Sequence, residues 1–275
     1  MPTKTKVRNM FDSIAGDYDA LNHILSLDVD KIWRKKALKQ IVDAPAPAQV
    51  LDLACGTGDF SIAIAKALSR SHKRVGTPIE AHVKAPAKAP VEAQVTSTGF
   101  VTGDSGRSDL MTKGHVTGVD LSEGMLAVMR EKVGKAGLTE MISIEEGDGE
   151  NLRFPDNTFD RVTIAFGIRN FEDRPKGLRE MLRVLKPGGR LVILELSRPE
   201  NKIIRWFYDL YFLHILPKVG GKVSGDKAAY AYLPASVAAF PGKKAFMATM
   251  REAGFRTVTH KAFTLGICRM YTGEK

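Results

Sequence analysis

The chain has 275 residues, 44% hydrophobic and 26% charged, so it is long enough to bury a substantial core and ordinary enough to be globular. Two cysteines, Cys55 and Cys268, exclude a disulfide framework and fit a reducing compartment. A formal net charge of +10 favours acidic surfaces, either nucleic acid or anionic lipid headgroups, without dictating a fold. No stretch reaches the roughly 20 apolar residues that span a bilayer, and no signal-peptide run follows the N-terminus. A cytoplasmic protein is expected, with peripheral contact to the inner face of a membrane as the finer reading.

In chain order, 7–22 places Val7, Met10, Phe11 and Ile14 at helical spacing, and 29–42 repeats the pattern with Val29, Ile32, Trp33 and Ile41. The densest basic group, Lys31, Arg34, Lys35, Lys36 and Lys39, lies in this second helix and reads first as a solvated face, second as a membrane contact. A βα rhythm then begins: strand 49–54, a glycine turn at Gly56–Gly58 and a helix over 60–68. From 71 to 114 the chain is rich in Ala, Pro, Lys, Glu, Ser, Thr and Gly, the composition of an inserted segment within a single domain of 1–275. The rhythm resumes with strand 115–119, a helix over 123–135 capped by Ser122, strands 141–146 and 159–166, and a helix over 174–185 stopped by Lys186-Pro187-Gly188-Gly189. Strand 190–196 and an almost wholly apolar helix over 203–216 follow, then a short helix over 246–252. Two β-rich runs, 256–263 and 266–272, are too close for a crossover helix and should pair antiparallel. The pattern is α/β: an open, mostly parallel sheet with helices on both faces and a C-terminal antiparallel hairpin.

The central motif is Leu51-Asp52-Leu53-Ala54-Cys55-Gly56-Thr57-Gly58-Asp59. A strand ending in a glycine turn that opens a helix brings bare backbone N–H groups close to a ligand. Dinucleotide enzymes use the same device, but here Ser61 replaces the third glycine, and Asp52 suits an ammonium group better than a pyrophosphate. A carboxylate beside backbone donors fits the zwitterionic end of S-adenosylmethionine. Asp120 ends the next strand, where an acid accepts hydrogen bonds from both ribose hydroxyls. The usual glycine-to-acid gap is about 20 residues, whereas 62 separate Gly58 from Asp120, and the inserted segment accounts for the excess. Asp148 and Gly149 follow the third strand, where a carboxylate and a backbone N–H can read an adenine edge. Asp52, Gly56, Thr57, Gly58, Asp120, Asp148 and Gly149 are thus the expected cofactor contacts.

Several stretches together resemble class I methyltransferases, and more closely the C-methyltransferases of ubiquinone and menaquinone biosynthesis. They include VRNMFDSIAGDYDALN at 7–22, LDLACGTGD at 51–59, GVDLSEGM at 118–125, GDGENLRF at 147–154, FGIRN at 166–170, RVLKPGG at 183–189 and ELSRP at 195–199. The resemblance covers nearly everything outside 71–114. It implies a seven-stranded Rossmann-like sheet with the terminal hairpin inserted, and cofactor contacts at Thr57, Asp120, Asp148 and Gly149. Ala165 departs from relatives that carry serine there.

The resemblance also implies an acceptor: a ring carbon of demethylmenaquinol, with the benzoquinol of the ubiquinone pathway second. Such a carbon becomes nucleophilic once the neighbouring hydroxyl loses its proton, so the site needs groups that stabilise a phenolate. Arg169 and Asn170 are the expected catalytic residues, with Arg169 as a permanent cation. Tyr18, Asp19 and His23 are expected at the substrate. No metal-ligand spacing occurs among the histidines, and no metal is expected; nor is a nucleic-acid partner, because FGIRN is not the aromatic-flanked polar motif of base methylation. A nicotinamide oxidoreductase and a catalytically idle cofactor-binding scaffold are the rival classes. Oligomeric state is left open.

Overall fold

The computed structural model describes residues 3–16, 18–19, 28–43, 48–75, 114–211 and 227–275. A seven-stranded sheet runs in the order β3-β2-β1-β4-β5-β7-β6, built from β1 (Gln49–Leu53), β2 (His115–Asp120), β3 (Ile142–Glu146), β4 (Phe159–Ala165), β5 (Leu185–Leu196), β6 (Arg256–Phe263) and β7 (Cys268–Glu274). The first five pair in parallel, while β7 is antiparallel to both β5 and β6. The hairpin is therefore inserted, with β7 between β5 and the edge strand β6, as the sequence pattern implied.

Alternation along the central strands sends side chains to two separate cores. Leu51, Leu53, Leu191 and Ile193 pack on one face against α5 (Arg174–Val184) and α8 (Lys243–Glu252). Val50, Val192 and Leu194 pack on the other against α2 (Val29–Leu38), α3 (Asp59–Val75) and α4 (Glu123–Lys135). All seven strand residues are fully buried, and each contributes about 1.5–3 kcal/mol of transfer free energy. The remaining helices are α1 (Lys4–Ile14), α6 (Lys202–Leu210) and α7 (Lys227–Ala239).

Some expected boundaries move. The helix expected over 60–68 runs to Val75, into the stretch assigned to the insertion, whose 76–113 lie outside the described residues. Lys186-Pro187-Gly188-Gly189 follows the end of α5 at Val184, one residue short of the expected Leu185, but the run also lies inside β5, where Gly188 takes φ +75° and the β4–β5 register shifts. Of the apolar run 203–216, α6 covers the part to Leu210, and 212–216 lie outside the described residues. Far from being wholly apolar in its surroundings, α6 leaves Ile203, Trp206 and Phe207 exposed. Helix α7, with Pro234 inside it, is absent from the periodicity reading because its apolar residues form no single stripe.

Candidate active site

In an open α/β sheet the ligand crevice opens where the chain leaves neighbouring strands in opposite directions. Here that point lies between β1 and β4. Both strands end in left-handed backbone at non-glycine residues, Ala54 (φ 48°) and Phe166 (φ 62°), each at a cost of about 1–3 kcal/mol that the surrounding packing must offset. Gly167 must be glycine because a Cβ there would sit 2.5 Å from the Ala54 methyl. Two clefts open around Ala54. One, of about 370 Å³, is lined by Tyr18, Asp52, Gly56, Thr57 and Phe166, among others. The second, of about 500 Å³, includes Phe11, Asp120, Asp148, Asn170 and Phe171.

Asp120 holds the turn that separates them. Its Oδ2 accepts the Gly56 N–H at 2.8 Å and its Oδ1 the Ser122 N–H at 2.9 Å. A carboxylate oxygen has two lone pairs, so one acceptor site remains on each for a pair of vicinal hydroxyls. Asp52 is buried below the turn and accepts the Ser61 hydroxyl at 2.6 Å. Burial raises its carboxyl to about 7, with the Ser61 bond and Arg34 only partly opposing. The serine at the missing third-glycine position is thus the group that orients Asp52. Gly58 takes φ +84°, and a Cβ there would meet the Met129 side chain at 2.5 Å. Gly149 is equally constrained, by the Phe171 ring 2.6 Å from any added Cβ.

The amino-terminal segment closes over both clefts. Asp19 Oδ1 accepts the Thr57 hydroxyl at 2.5 Å, and its Oδ2 accepts Lys132 Nζ at 2.6 Å. Lys132 also bonds Asp59, which in turn accepts Arg34 Nη1 at 3.3 Å. Lys4 of α1 reaches Asp148 Oδ2 at 2.6 Å and Glu150 Oε2 at 2.8 Å. Burial alone would lower the Lys4 pKa, but these two carboxylates raise it. His23, expected at the substrate, lies outside the described residues.

Past β4 the chain makes a 3-10 turn over Ile168–Asn170. Arg169 is only 6% exposed, and its Nη1 pairs at 2.9 Å with Glu195, which is 0% exposed. The same nitrogen donates to the Phe166 carbonyl, and Nε donates to Ser236 Oγ at 3.3 Å. Burial would lower the guanidinium pKa, yet it is held above its ordinary value, chiefly by Glu195. Arg169 is therefore a permanent cation. Asn170 Oδ1 accepts the Tyr232 hydroxyl at 2.8 Å. Sequence reasoning missed Glu195, Ser236, Tyr232, Lys132 and Lys4 as partners. Glu195 stands within the ELSRP stretch that carries the family resemblance, but no local spacing links it, or Tyr232, to Arg169.

The expected residues Asp52, Gly56, Thr57, Gly58, Asp120, Asp148, Gly149, Arg169 and Asn170 all lie at this carboxyl end of the sheet, with Tyr18 and Asp19 folded over it. Among the described residues no cluster of His, Cys, Asp or Glu is arranged to hold a metal ion. The sheet order, with acids on adjacent strands flanking a glycine turn, is the Rossmann-like fold, and the family match makes the chain an S-adenosylmethionine-dependent methyltransferase. Residues 2–275 match the ubiE/COQ5 methyltransferase family, and the chain belongs to that family.

Its relatives agree. The chain is 43% identical over 270 residues to the ubiquinone/menaquinone biosynthesis C-methyltransferase UbiE of Geobacter sulfurreducens, covering 98% of this chain and 88% of that one. It is 41% identical over 269 residues to the demethylmenaquinone methyltransferase of Deinococcus radiodurans, covering 98% and 92%. Among solved structures, the [4+2]-cyclase SpnF matches 100% of this chain and 96% of its own with TM-score 0.62 at 15% identity. A SAM-dependent methyltransferase from Thermotoga maritima matches 97% and 99% with TM-score 0.56 at 16% identity. At such identities these structures establish the fold alone.

Proposed function

We propose that the chain transfers a methyl group from S-adenosylmethionine to a ring carbon of demethylmenaquinol, giving menaquinol. The single observation that carries this reading is the convergence of two unlike sites on Ala54. One cleft is lined by Asp52, Gly56 and Thr57, the other by Asp120, Asp148 and Asn170, and the buried Arg169 cation is the chain neighbour of Asn170. Bound S-adenosylmethionine supplies an electrophilic methyl on a sulfonium. Asp120 takes the ribose hydroxyls on its remaining lone pairs, Asp148 and the Gly149 N–H take the adenine edge, and Asp52 faces the ammonium. Tyr18 and Asp19 exclude water by closing the amino-terminal segment onto Thr57.

The acceptor must be the quinol, because the oxidised ring is itself an electrophile. As its hydroxyl proton leaves, negative charge spreads onto the ring, and the fixed positive field of Arg169 stabilises it without reorganising. Glu195 keeps that guanidinium in place, while Asn170, oriented by Tyr232, offers its amide N–H groups. Relatives' names support the acceptor class. The test supplies labelled cofactor with short-chain demethylnaphthoquinol, the corresponding quinone and a ubiquinone-pathway benzoquinol, all anaerobically. Labelled product should form from quinol alone, fastest with naphthoquinol. Equal methylation of quinone and quinol would refute the phenolate role of Arg169, and faster turnover of the benzoquinol would reassign the acceptor.

A further inference from the structure

Among the described residues, the exposed large hydrophobic side chains are Ile32, Ile203, Trp206, Phe207, Leu210 and Leu265. They come from three elements distant in sequence, yet all lie at one edge of the molecule. Ile203, Trp206, Phe207 and Leu210 follow i, i+3, i+4, i+7 spacing and so form one stripe along α6. Leu265 caps the turn between β6 and β7, which the Ser197 N–H joins through the Ile267 carbonyl at 2.8 Å just before α6. Ile32 is on α2, tied to the same turn by Trp33 Nε1 donating to Thr264 Oγ1 at 2.9 Å. Trp206 and Phe207 are 62% and 60% exposed and stack edge to face 4.8 Å apart. Apolar side chains gathered on one edge mark an interaction surface, where singly scattered ones would not.

Charge selects the occupant. Exposed Lys31 and Lys35 lie beside Ile32, and Lys36 Nζ sits 5.0 Å from the Phe263 ring, next to Leu265. On α6 itself Lys202 and Arg205 outnumber Asp209, which Arg198 neutralises at 2.5 Å. Aromatic and aliphatic side chains collared by lysine fit an anionic bilayer surface. A second copy of the chain fits less well, since a two-fold contact would bring the same lysines together. Nor is any helix among the described residues long and apolar enough to cross a membrane, so α6 would lie in the interface plane.

We infer that the edge formed by α6, the β6–β7 turn and the start of α2 docks on anionic lipid, with Trp206 and Phe207 inserted at the headgroup boundary. The position of α6 gives this docking a purpose. Its inner face carries Tyr208, buried and within electrostatic reach of Arg169. With α6 on the bilayer, a quinol whose tail stays in lipid would approach Arg169 from the Tyr208 side of that helix. The inference rests on the acceptor being a lipid quinol.

The chain has two tryptophans and the other, Trp33, is buried, so Trp206 reports the contact directly. Mixed phosphatidylglycerol/phosphatidylcholine vesicles should blue-shift Trp206 emission, brominated lipid should quench it, and the protein should cosediment. Trp206→Ser/Phe207→Ser should lower vesicle partitioning at least about tenfold while melting temperature and turnover of a water-soluble short-chain quinol stay unchanged. No blue shift and no cosedimentation of the wild type would overturn the docking. So would a vesicle-indifferent dimer, seen by analytical ultracentrifugation, that the double variant dissociates. Loss of short-chain turnover in the wild type would instead refute the acceptor reading, which keeps the two failures apart.

Discussion

Glu195→Gln tests the arrangement on which the proposed chemistry depends. Glu195 is fully buried and accepts three donors: Arg169 Nη1 at 2.9 Å, the Arg169 N–H at 3.1 Å and the Leu196 N–H at 2.8 Å. Glutamine keeps the shape but removes the charge, and it turns an NH₂ group toward donors, leaving at least one of them unsatisfied. Removing one partner of a buried ion pair costs about 3–5 kcal/mol, since the other charge stays in low dielectric without compensation. That is a large share of the roughly 5–15 kcal/mol that holds a domain together. At about 2–4 °C per kcal/mol for a chain of this size, the melting temperature should fall by about 6–20 °C. Urea denaturation gives the free energy directly. A second variant, Arg169→Met/Glu195→Gln, removes both charges while keeping an acceptor for the backbone N–H groups, and should recover part of the loss, though it should not methylate. A drop below about 1 kcal/mol in Glu195→Gln would show that the buried pair is already solvated or broken, and the fixed-cation argument would fail with it.

Asp120→Ala removes the proposed ribose acceptor and should weaken S-adenosylmethionine binding by about 1.5–3 kcal/mol, the worth of hydrogen bonds to a charged group; unchanged affinity in a folded variant would sink that contact. Because burial raises Asp52 to about 7, the folded protein holds a proton that the unfolded chain releases near its ordinary value. Unliganded stability should therefore fall as pH rises between those two values, and cofactor, by favouring the carboxylate, should remove the slope. Cofactor affinity should in turn rise by up to about tenfold per pH unit below pH ~7 and flatten above it. Calorimetry in two buffers near pH ~6 should find proton release on binding, and its absence would move the ammonium away from Asp52. Prolines aside, residues 76–112 hold only Ile79, Phe100, Leu110, Met111 and four valines as apolar side chains larger than alanine, too sparse and aperiodic to pack a core, so a short Gly/Ser linker in their place should leave melting temperature and turnover nearly unchanged. Loop length costs only about 0.6 kcal/mol per doubling, and lost activity in a folded variant would make the segment functional.

What the sequence determined by itself was everything carried by short-range order. Alternating strand and helix periods gave the layers, and the gap of two residues between 256–263 and 266–272 forced an antiparallel pair. The glycine turn after Asp52 and the acid at Asp120 marked a ligand crevice, because both depend on spacing along one strand and its turn. Periodicity failed where residues act through long-range contacts. Lys186-Pro187-Gly188-Gly189 ends α5 as its composition implies, but periodicity does not show that pairing between β4 and β5 starts at Leu185, opposite Phe159, and draws the same run into the strand. An apolar stretch such as 203–210 looks identical whether buried or not; only the packing of Tyr208 inward shows that Trp206 and Phe207 face out. Tertiary structure also decided what Arg169 is. Alone in FGIRN it is one arginine after a strand. Glu195, 26 residues away on β5, supplies the countercharge that keeps it buried, ionised and immobile, and a Coulomb interaction between a turn and a strand that far apart leaves no trace in local sequence.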